Sequence, residues 1–191
     1  LPNIAVISPS VLHEPGDLLV KSMNLGLPVI FAENKLDYTR KMFNAEKIAD
    51  NFEVEYHGGE FPIAEVSFSD EEAEVTIISY GGLINPLLNM MYDLYMEEEV
   101  ATRLLDLSSL TPMDFELIAK LVNDSKKILC VEEGHVPFGI GDGIISDLAQ
   151  RGIMAEFKSI GAKQHIIGTS KEAEAMALPQ IDEIKETILN W

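Results

Sequence analysis

Residues 127–151 read KILCVEEGHVPFGIGDGIISDLAQR, and this stretch decides the fold. Its first part, 127–132, is a short apolar run of the length of a buried strand. Several glycines follow, and 143–151 then shows the apolar spacing of a helix. A strand that passes through a glycine-rich loop into a helix is typical of a sheet covered by helices, so we expect an α/β fold.

The same pattern recurs on both sides of this stretch. We predict strands at 63–68, 75–80, 100–107 and 154–160, and helices at 86–98, 113–123 and 181–189. Thr111 and Pro112 suit the N-cap and the first residue of the helix at 113–123. Because strands and helices alternate from residue 75 onward, the five-stranded sheet should be mostly parallel with helices on both faces. The strand at 63–68 precedes this alternation and is placed at a sheet edge.

The first 38 residues are interpreted as a separate piece. They read strand (4–7), helix (15–25, with Gly26 as its C-cap) and strand (28–32), a βαβ unit too small to hold a core alone. The chain opens on Leu1 directly before an apolar strand, and we interpret 1–38 as the end of a longer domain. Residues 39–61 are rich in charge and are predicted to be a linker, with a short helix around 45–50. Residues 62–191 then form the main domain.

The charge of the chain restricts its partners. With 32 acidic and 14 basic residues the formal net charge is -18, which disfavours nucleic acid and anionic membrane surfaces. Such a charge either serves solubility alone, which is the more common case, or suits a basic protein partner. No apolar run has the roughly 20 residues that span a bilayer. The single cysteine, Cys130, excludes an intramolecular disulfide and a cysteine-based zinc cluster, and a cytoplasmic location is expected.

The first candidate site is the loop that contains Gly134, Gly139 and Gly141, which we call the glycine loop. A glycine-rich turn that enters a helix can hold a phosphate on its backbone amides, which would suit a self-contained nucleotide-binding α/β domain. A dinucleotide fingerprint requires a third glycine three positions after Gly141, and Ile144 is there instead. The adjacent Glu132 and Glu133 would also repel an anion. We therefore interpret the loop as one that needs glycine for close packing.

The paired carboxylates and the histidines are the other candidates. Glu132 and Glu133 could serve as an acid and a base, but neighbours on a strand point to opposite faces. We therefore predict an internal hydrogen-bond site or a contact surface for a neighbouring subunit. None of the four histidines has the spacing of a metal site, and a surface or interface role is expected for them. The proposed interface comprises Glu132, Glu133, Gly134, His135, Phe138, Gly139, Gly141 and Asp142.

Five phrases together resemble the β subunits of 2-oxoacid dehydrogenase E1 components, members of the transketolase-like group. Residues 28–38, PVIFAENKLDY, are similar to the family's "PVIFLE-x-K-x-LY", and 74–81, EVTIISYG, to its "DVTIVSYG". Residues 105–114, LDLSSLTPMD, resemble "VIDLRTLxPLD", although Ser108 and Ser109 replace "RT". EEG at 132–134 with GIGD at 139–142 resembles "VEEG…GFGAE", with Asp142 in place of glutamate. LPQIDEI at 178–184 resembles "LPxxEDI".

The resemblance implies a fold and a parent activity. The fold is a three-layer α/β/α sandwich with one antiparallel edge strand, preceded by the last part of a pyrimidine-binding domain. Family enzymes use thiamine diphosphate and magnesium to decarboxylate a 2-oxo acid and pass the acyl group to a lipoyl domain. Their cofactor-activating residues lie in parts that this chain does not contain. No catalytic, cofactor-binding or metal-binding residue is therefore expected here, and the fragment should be inactive alone.

The resemblance also implies partners. These are the missing thiamine-binding domains or an α subunit, a second copy in a homodimer, and the basic subunit-binding domain of an acyltransferase core. The tail of a transketolase or of a deoxyxylulose-phosphate synthase is the alternative within the same group.

Overall fold

The computed structural model describes residues 3–40, 42, 52–68, 71–163 and 166–191. The strands are β1 (Ala5–Ile7), β2 (Val29–Phe31), β3 (Phe52–His57), β4 (Ile63–Phe68), β5 (Val75–Ser79), β6 (Thr102–Leu107), β7 (Ser109–Thr111), β8 (Lys127–His135) and β9 (Glu156–Ala162). The helices are α1 (Pro15–Met23), α2 (Ile84–Glu98), α3 (Phe115–Leu121), α4 (Ile140–Gln150), α5 (Lys171–Ala177) and α6 (Ile181–Leu189), with 3₁₀ turns at Lys35–Thr39 and Gly81–Leu83. No helix among the described residues is long and apolar enough to cross a membrane.

The main sheet confirms the mostly parallel α/β prediction. Its strand order is β3-β4-β6-β5-β8-β9, and β6, β5, β8 and β9 run parallel to their neighbours in this series. The strand β4 pairs antiparallel with β6, as expected for the strand that precedes the alternation. The sheet has six strands instead of five, because β3 pairs antiparallel with the outer side of β4. The prediction that the strand at 63–68 is the edge strand is therefore wrong, and β3 is the edge strand instead.

The prediction of a linker over 39–61 is wrong for β3. Phe52 and Val54 are buried whereas Glu53 and Glu55 are exposed, which is the alternation of a strand with one solvated face. The high charge of this segment belongs to that solvated face. The short helix predicted around 45–50 lies outside the described residues.

Helices cover both faces of the main sheet and complete the three layers. On one face α2 and α6 supply Leu87, Met91 and Ile184 to an apolar core. On the opposite face α3 and α4 supply Ile118 and Leu148 to a second apolar core. Met90 and Met91 of α2 are therefore core residues.

The N-terminal βαβ unit joins the main domain through a second, three-stranded sheet. Its order is β2-β1-β7, with β1 parallel to β2 and antiparallel to β7. The strand β7 comes from the main domain, so the two parts of the chain share backbone hydrogen bonds. Ser8 extends this contact by donating its N–H to the Ser108 carbonyl at 2.9 Å. The predicted βαβ unit is present, although α1 ends at Met23 and Asn24 is its C-cap.

The predicted N-cap of α3 is wrong by three residues. Thr111 belongs to β7, and Asp114 is the N-cap, with its side chain accepting a hydrogen bond from Leu117 N at 2.9 Å. Asp is as good a cap as Thr, and the pairing of Thr111 with Val6 of β1 holds that residue in the small sheet. The helix α4 likewise begins earlier than predicted, and α5 was not predicted.

We expect Asp114→Ala to lower the free energy of unfolding by about 1 kcal/mol, the usual cost of losing a helix cap. Thr111→Ala should cost less, because its hydroxyl only donates to the neighbouring Leu110 carbonyl. Urea denaturation of the two variants measures the difference. An equal loss in both would contradict the assignment of Asp114 as the cap.

Candidate functional site

The Glu132 side chain closes the N-terminus of α4. The residue lies near the carboxyl end of β8 and is 2% exposed. Its Oε1 accepts a hydrogen bond from Gly141 N at 2.8 Å, and its Oε2 accepts one from Ile140 N at 3.0 Å. These are N–H groups of the first helical turn, which have no partner inside the helix and favour negative charge. The carboxylate therefore has the position that a bound phosphate would need.

The glycines of the loop make room for this carboxylate. A Cβ atom at Gly134 would lie 2.5 Å from Glu132 Oε2, and one at Gly139 would lie 2.6 Å from Glu132 Cδ. At Gly141 a Cβ atom would be 2.8 Å from the Cys130 Cβ and 3.1 Å from Glu132 Oε1. The interpretation of a loop that needs glycine for close packing is confirmed. A phosphate would have to displace a buried carboxylate that is already satisfied.

The two adjacent glutamates do not share a pocket. Glu132 points into the fold, whereas Glu133 is exposed. Desolvation of the Glu133 carboxyl by neighbouring protein atoms is the main cause that raises its pKa, and the carboxylates of Glu174 and Asp37 raise it further. The expected opposite orientation is confirmed, and Glu132 is the internal hydrogen-bond site. An acid–base pair between these neighbours has no geometric support.

Tyr80 and Cys130 complete the surroundings of Glu132. The Tyr80 hydroxyl donates to Glu132 Oε2 at 3.3 Å, and burial and the Glu132 charge raise the pKa of this phenol. Burial raises the pKa of the Cys130 thiol to about 12, so it is a small buried apolar group and not a nucleophile. The cavity between these residues has a volume of about 10 Å³. It offers space for no more than a water molecule.

The other proposed interface residues lie on the outer side of the loop. Phe138 is 97% exposed and has a φ angle of 75°, in the left-handed region that side chains rarely adopt. Its N–H donates to Asp142 Oδ2 at 2.9 Å. His135 is exposed at the end of β8, opposite Ala162 of β9. Glu132, Gly139 and Gly141 therefore shape the loop from inside, while Glu133, His135 and Phe138 present its outer surface.

A second polar cluster lies between the N-terminal unit and the main domain. His13 Nδ1 is 3.2 Å from Asp106 Oδ2, and Ser10 Oγ donates to the same oxygen. The surface or interface role expected for histidines is wrong for His13, which is 3% exposed. Apolar Val11 and Leu12, packed in the main core, carry it inward. In sequence, the only signal was a serine and a histidine directly after an apolar strand.

This cluster is not a hydrolase triad, although it contains serine, histidine and aspartate. A triad requires the serine oxygen at the histidine nitrogen remote from the aspartate. Here His13 Nε2 is 3.2 Å from the Pro62 carbonyl, and Ser10 is hydrogen-bonded to Asp106 instead.

No metal site was predicted from the histidines. Within the described ranges, no group of three or more His, Cys, Asp or Glu side chains could hold a metal ion. His57 pairs with Glu65 at 2.8 Å, and His165 lies outside the described residues. A cavity of about 530 Å³ opens beside α3, between Phe61, Met113 and Arg151, and none of the eight proposed interface residues lines it.

The comparisons with known proteins agree with this geometry. Residues 64–184 match the family described as the transketolase C-terminal domain. The chain is similar to the pyruvate dehydrogenase E1 component subunit beta of Staphylococcus aureus, with 23% identity over 193 residues that cover 98% of this chain and 56% of that protein. For the subunit of the same name from Bacillus subtilis (strain 168) the identity is 23% over 189 residues, 97% of this chain and 55% of the relative.

The chain thus spans about half the length of the curated relatives that it matches. Among solved structures, a split-gene transketolase described as an inactive beta4 tetramer matches with a TM-score of 0.65. It is 18% identical, and the match covers 100% of this chain and 57% of that one. This likeness shows a shared fold.

Proposed function

The chain belongs to the transketolase C-terminal domain family, and from this premise we propose that it is the C-terminal part of a thiamine-diphosphate-dependent 2-oxoacid dehydrogenase. The parent enzyme would decarboxylate a 2-oxo acid and acylate a lipoyl domain. The observation that carries the proposal is the similarity to E1 beta subunits along 98% of the chain. Within that enzyme this chain would build subunit contacts and supply no catalytic group.

The sheet topology supports a structural role for the glycine loop. In open α/β sheets, ligands bind at the carboxyl ends of the strands where the order of the strands reverses, here between the parallel strands β5 and β8. In this chain that crevice is closed by Tyr80 and by the Glu132 carboxylate bound to the α4 amides. Thiamine diphosphate and magnesium would then bind to other domains or subunits of the parent enzyme.

Two surfaces support partner contacts. The N-terminal unit leaves apolar side chains of α1 and β2 exposed, including Val20, Met23 and Ile30. In the described part of the chain, β2 pairs only with β1, so its other edge is available to the remainder of a thiamine-binding domain or to an α subunit. For the homodimer, we propose a contact through Glu133, His135 and Phe138 on the outer side of the glycine loop.

Charge supports a third partner. A net charge of -18 would speed the encounter with a basic protein, such as the subunit-binding domain of an acyltransferase core. The tail of a transketolase stays the second candidate, since the split-gene transketolase has the same fold. A nucleotide-binding domain is disfavoured, because Glu132 already occupies the amides that a phosphate would use.

Calorimetric titration with thiamine diphosphate and magnesium tests the division of roles, with the mass in solution measured by sedimentation. We expect no binding heat, and a discrete dimer. A ligand that binds the native state at 100 times its Kd would stabilise it by about 2.7 kcal/mol, so thermal melting provides an independent check. Micromolar binding would mean that part of the cofactor site lies in this chain.

The parent activity needs a separate experiment. The full-length protein, mixed with its α subunit, should release carbon dioxide from a 2-oxo acid only when thiamine diphosphate is present. Ketol transfer between sugar phosphates instead would favour the transketolase alternative.

A further inference from the structure

We propose that Ser10, His13 and Asp106 are positioning residues that lock the N-terminal βαβ unit in one orientation on the main domain. We call these three residues the interunit clasp. Its functional meaning rests on the proposed function, in which the N-terminal unit is part of a thiamine-binding domain. The geometry itself depends only on this chain.

The clasp joins three segments that are far apart in sequence. Ser10 and His13 lie in the loop after β1, Asp106 lies near the end of β6, and Pro62 directly precedes β4. The His13 and Asp106 side chains are 1% and 0% exposed, and their Nδ1 and Oδ2 atoms are 3.2 Å apart. Ser10 Oγ donates to Asp106 Oδ2 and accepts a hydrogen bond from Leu12 N at 3.0 Å. A change in the orientation of the N-terminal unit would break the contacts of Ser10 and His13 with Asp106 together.

Both ring nitrogens of His13 contact polar groups. Nδ1 lies 3.2 Å from Asp106 Oδ2 and 3.4 Å from Ser10 Oγ, and Nε2 lies 3.2 Å from the Pro62 carbonyl. The imidazole ring thus bridges the loop after β1 to two separate segments of the main domain.

The residues around the clasp reinforce this arrangement. Tyr56 of β3 has its ring centroid 6.3 Å from that of His13 and donates its hydroxyl to the Leu12 carbonyl at 2.6 Å. Burial, followed by the charges of Asp106 and Glu14, raises the pKa of this phenol, so Tyr56 stays neutral. Ser108 donates to the same Pro62 carbonyl at 2.7 Å. The His13 ring thus faces carboxylate, hydroxyl, carbonyl and phenol groups.

Burying the polar groups of the clasp costs free energy, which indicates that the clasp positions the N-terminal unit more than it stabilises the fold. Asp106 Oδ1 is buried and has no hydrogen-bond partner in the described part of the chain. Burying polar groups carries a desolvation cost that offsets much of the gain from their hydrogen bonds. Apolar Val11 and Leu12 already anchor the same loop in the core. What the clasp adds is direction, because its hydrogen bonds weaken steeply when the two units rotate and the bond angles change.

Hydrogen exchange tests the clasp in the full-length chain. In Asp106→Asn and His13→Gln, the amides of β1 and β7 should exchange at least about tenfold faster, while those of β5 and β8 change much less. The double variant His13→Gln/Asp106→Asn should recover part of the protection, since the two amide side chains can hydrogen-bond to each other in place of the original pair. Thr76→Val is the matched control, because it breaks the buried Thr76–Ser125 hydrogen bond of 2.8 Å elsewhere in the main domain.

Nitrogen-15 NMR of the unaltered chain provides a second readout that does not depend on a variant folding. A ring N–H of His13 should be protected from exchange with solvent, as expected for a buried ring whose two nitrogens both contact polar groups. A ring N–H that exchanges as fast as that of an exposed histidine, or the same increase in exchange in β5 and β8 as in β1 and β7, would overturn the proposal. If the proposed dehydrogenase activity proved wrong, the results of these two measurements would not change. The two proposals can therefore be refuted independently of each other.

Discussion

Glu132→Ala should lower the free energy of unfolding by about 4 kcal/mol, because it leaves one buried and one partly buried N–H group without an acceptor, at about 1–3 kcal/mol each. These are Ile140 N and Gly141 N, in the first turn of α4. The same change removes the carboxylate that faces the positive end of the helix dipole, which is a favourable interaction. Urea denaturation, with the midpoint and slope fitted separately, measures the loss.

The neighbouring glutamate provides the control for this variant. Glu133→Ala removes the same number of atoms from an exposed side chain and should change the stability by no more than about 0.5 kcal/mol. Glu132→Gln should fall between the two, because its amide keeps one oxygen acceptor and turns an NH₂ group towards the other donor. Equal losses for the two alanine variants would refute the assignment of Glu132 as the cap of α4.

The parts of the fold that could be predicted are those that depend on the pattern of residues adjacent in sequence. The apolar run at 127–132 predicts β8, and the glycine loop after it predicts close packing, since both follow from residues next to each other in sequence. The strand β3 was missed because its glutamates were counted as linker charge, although Phe52 and Val54 already alternate with them. Thr111 was misassigned because a good N-cap residue is also compatible with a short strand when a partner strand is present.

The sites were less predictable, because they depend on contacts between distant residues. Glu132 was singled out in the sequence, but whether it faces inward was decided by the pleat of β8 and the position of α4. The interunit clasp had no sequence signal of comparable strength, since Ser10 and Asp106 are 96 residues apart. Only the pairing of β1 with β7 brings the loop after β1 to the end of β6. Charge, in contrast, is a property of the whole chain and suggested the class of partner directly.

Gly139→Ala should lower the free energy of unfolding by about 3 kcal/mol, the upper range for an overpacked site. The backbone at Gly139 has φ -72° and ψ 176°, which alanine adopts without strain. The loss therefore comes from contact of the new Cβ with the Glu132 carboxylate, whose Cδ would be 2.6 Å away. That carboxylate cannot give way easily, because two backbone N–H groups hold it.

Gly143→Ala is the matched control in the same helix. A Cβ atom at Gly143 meets nothing within 4 Å, so alanine should stabilise the helix by up to about 1 kcal/mol through its higher helix propensity. The decisive comparison repeats Gly139→Ala in a Glu132→Ala background. With the carboxylate gone, the added methyl has space, and most of the penalty at Gly139 should disappear as a coupling energy between the two positions. If the cost of Gly139→Ala is the same in both backgrounds, the loop is not built around Glu132, and the α4 N-terminus would again be open to a phosphate ligand.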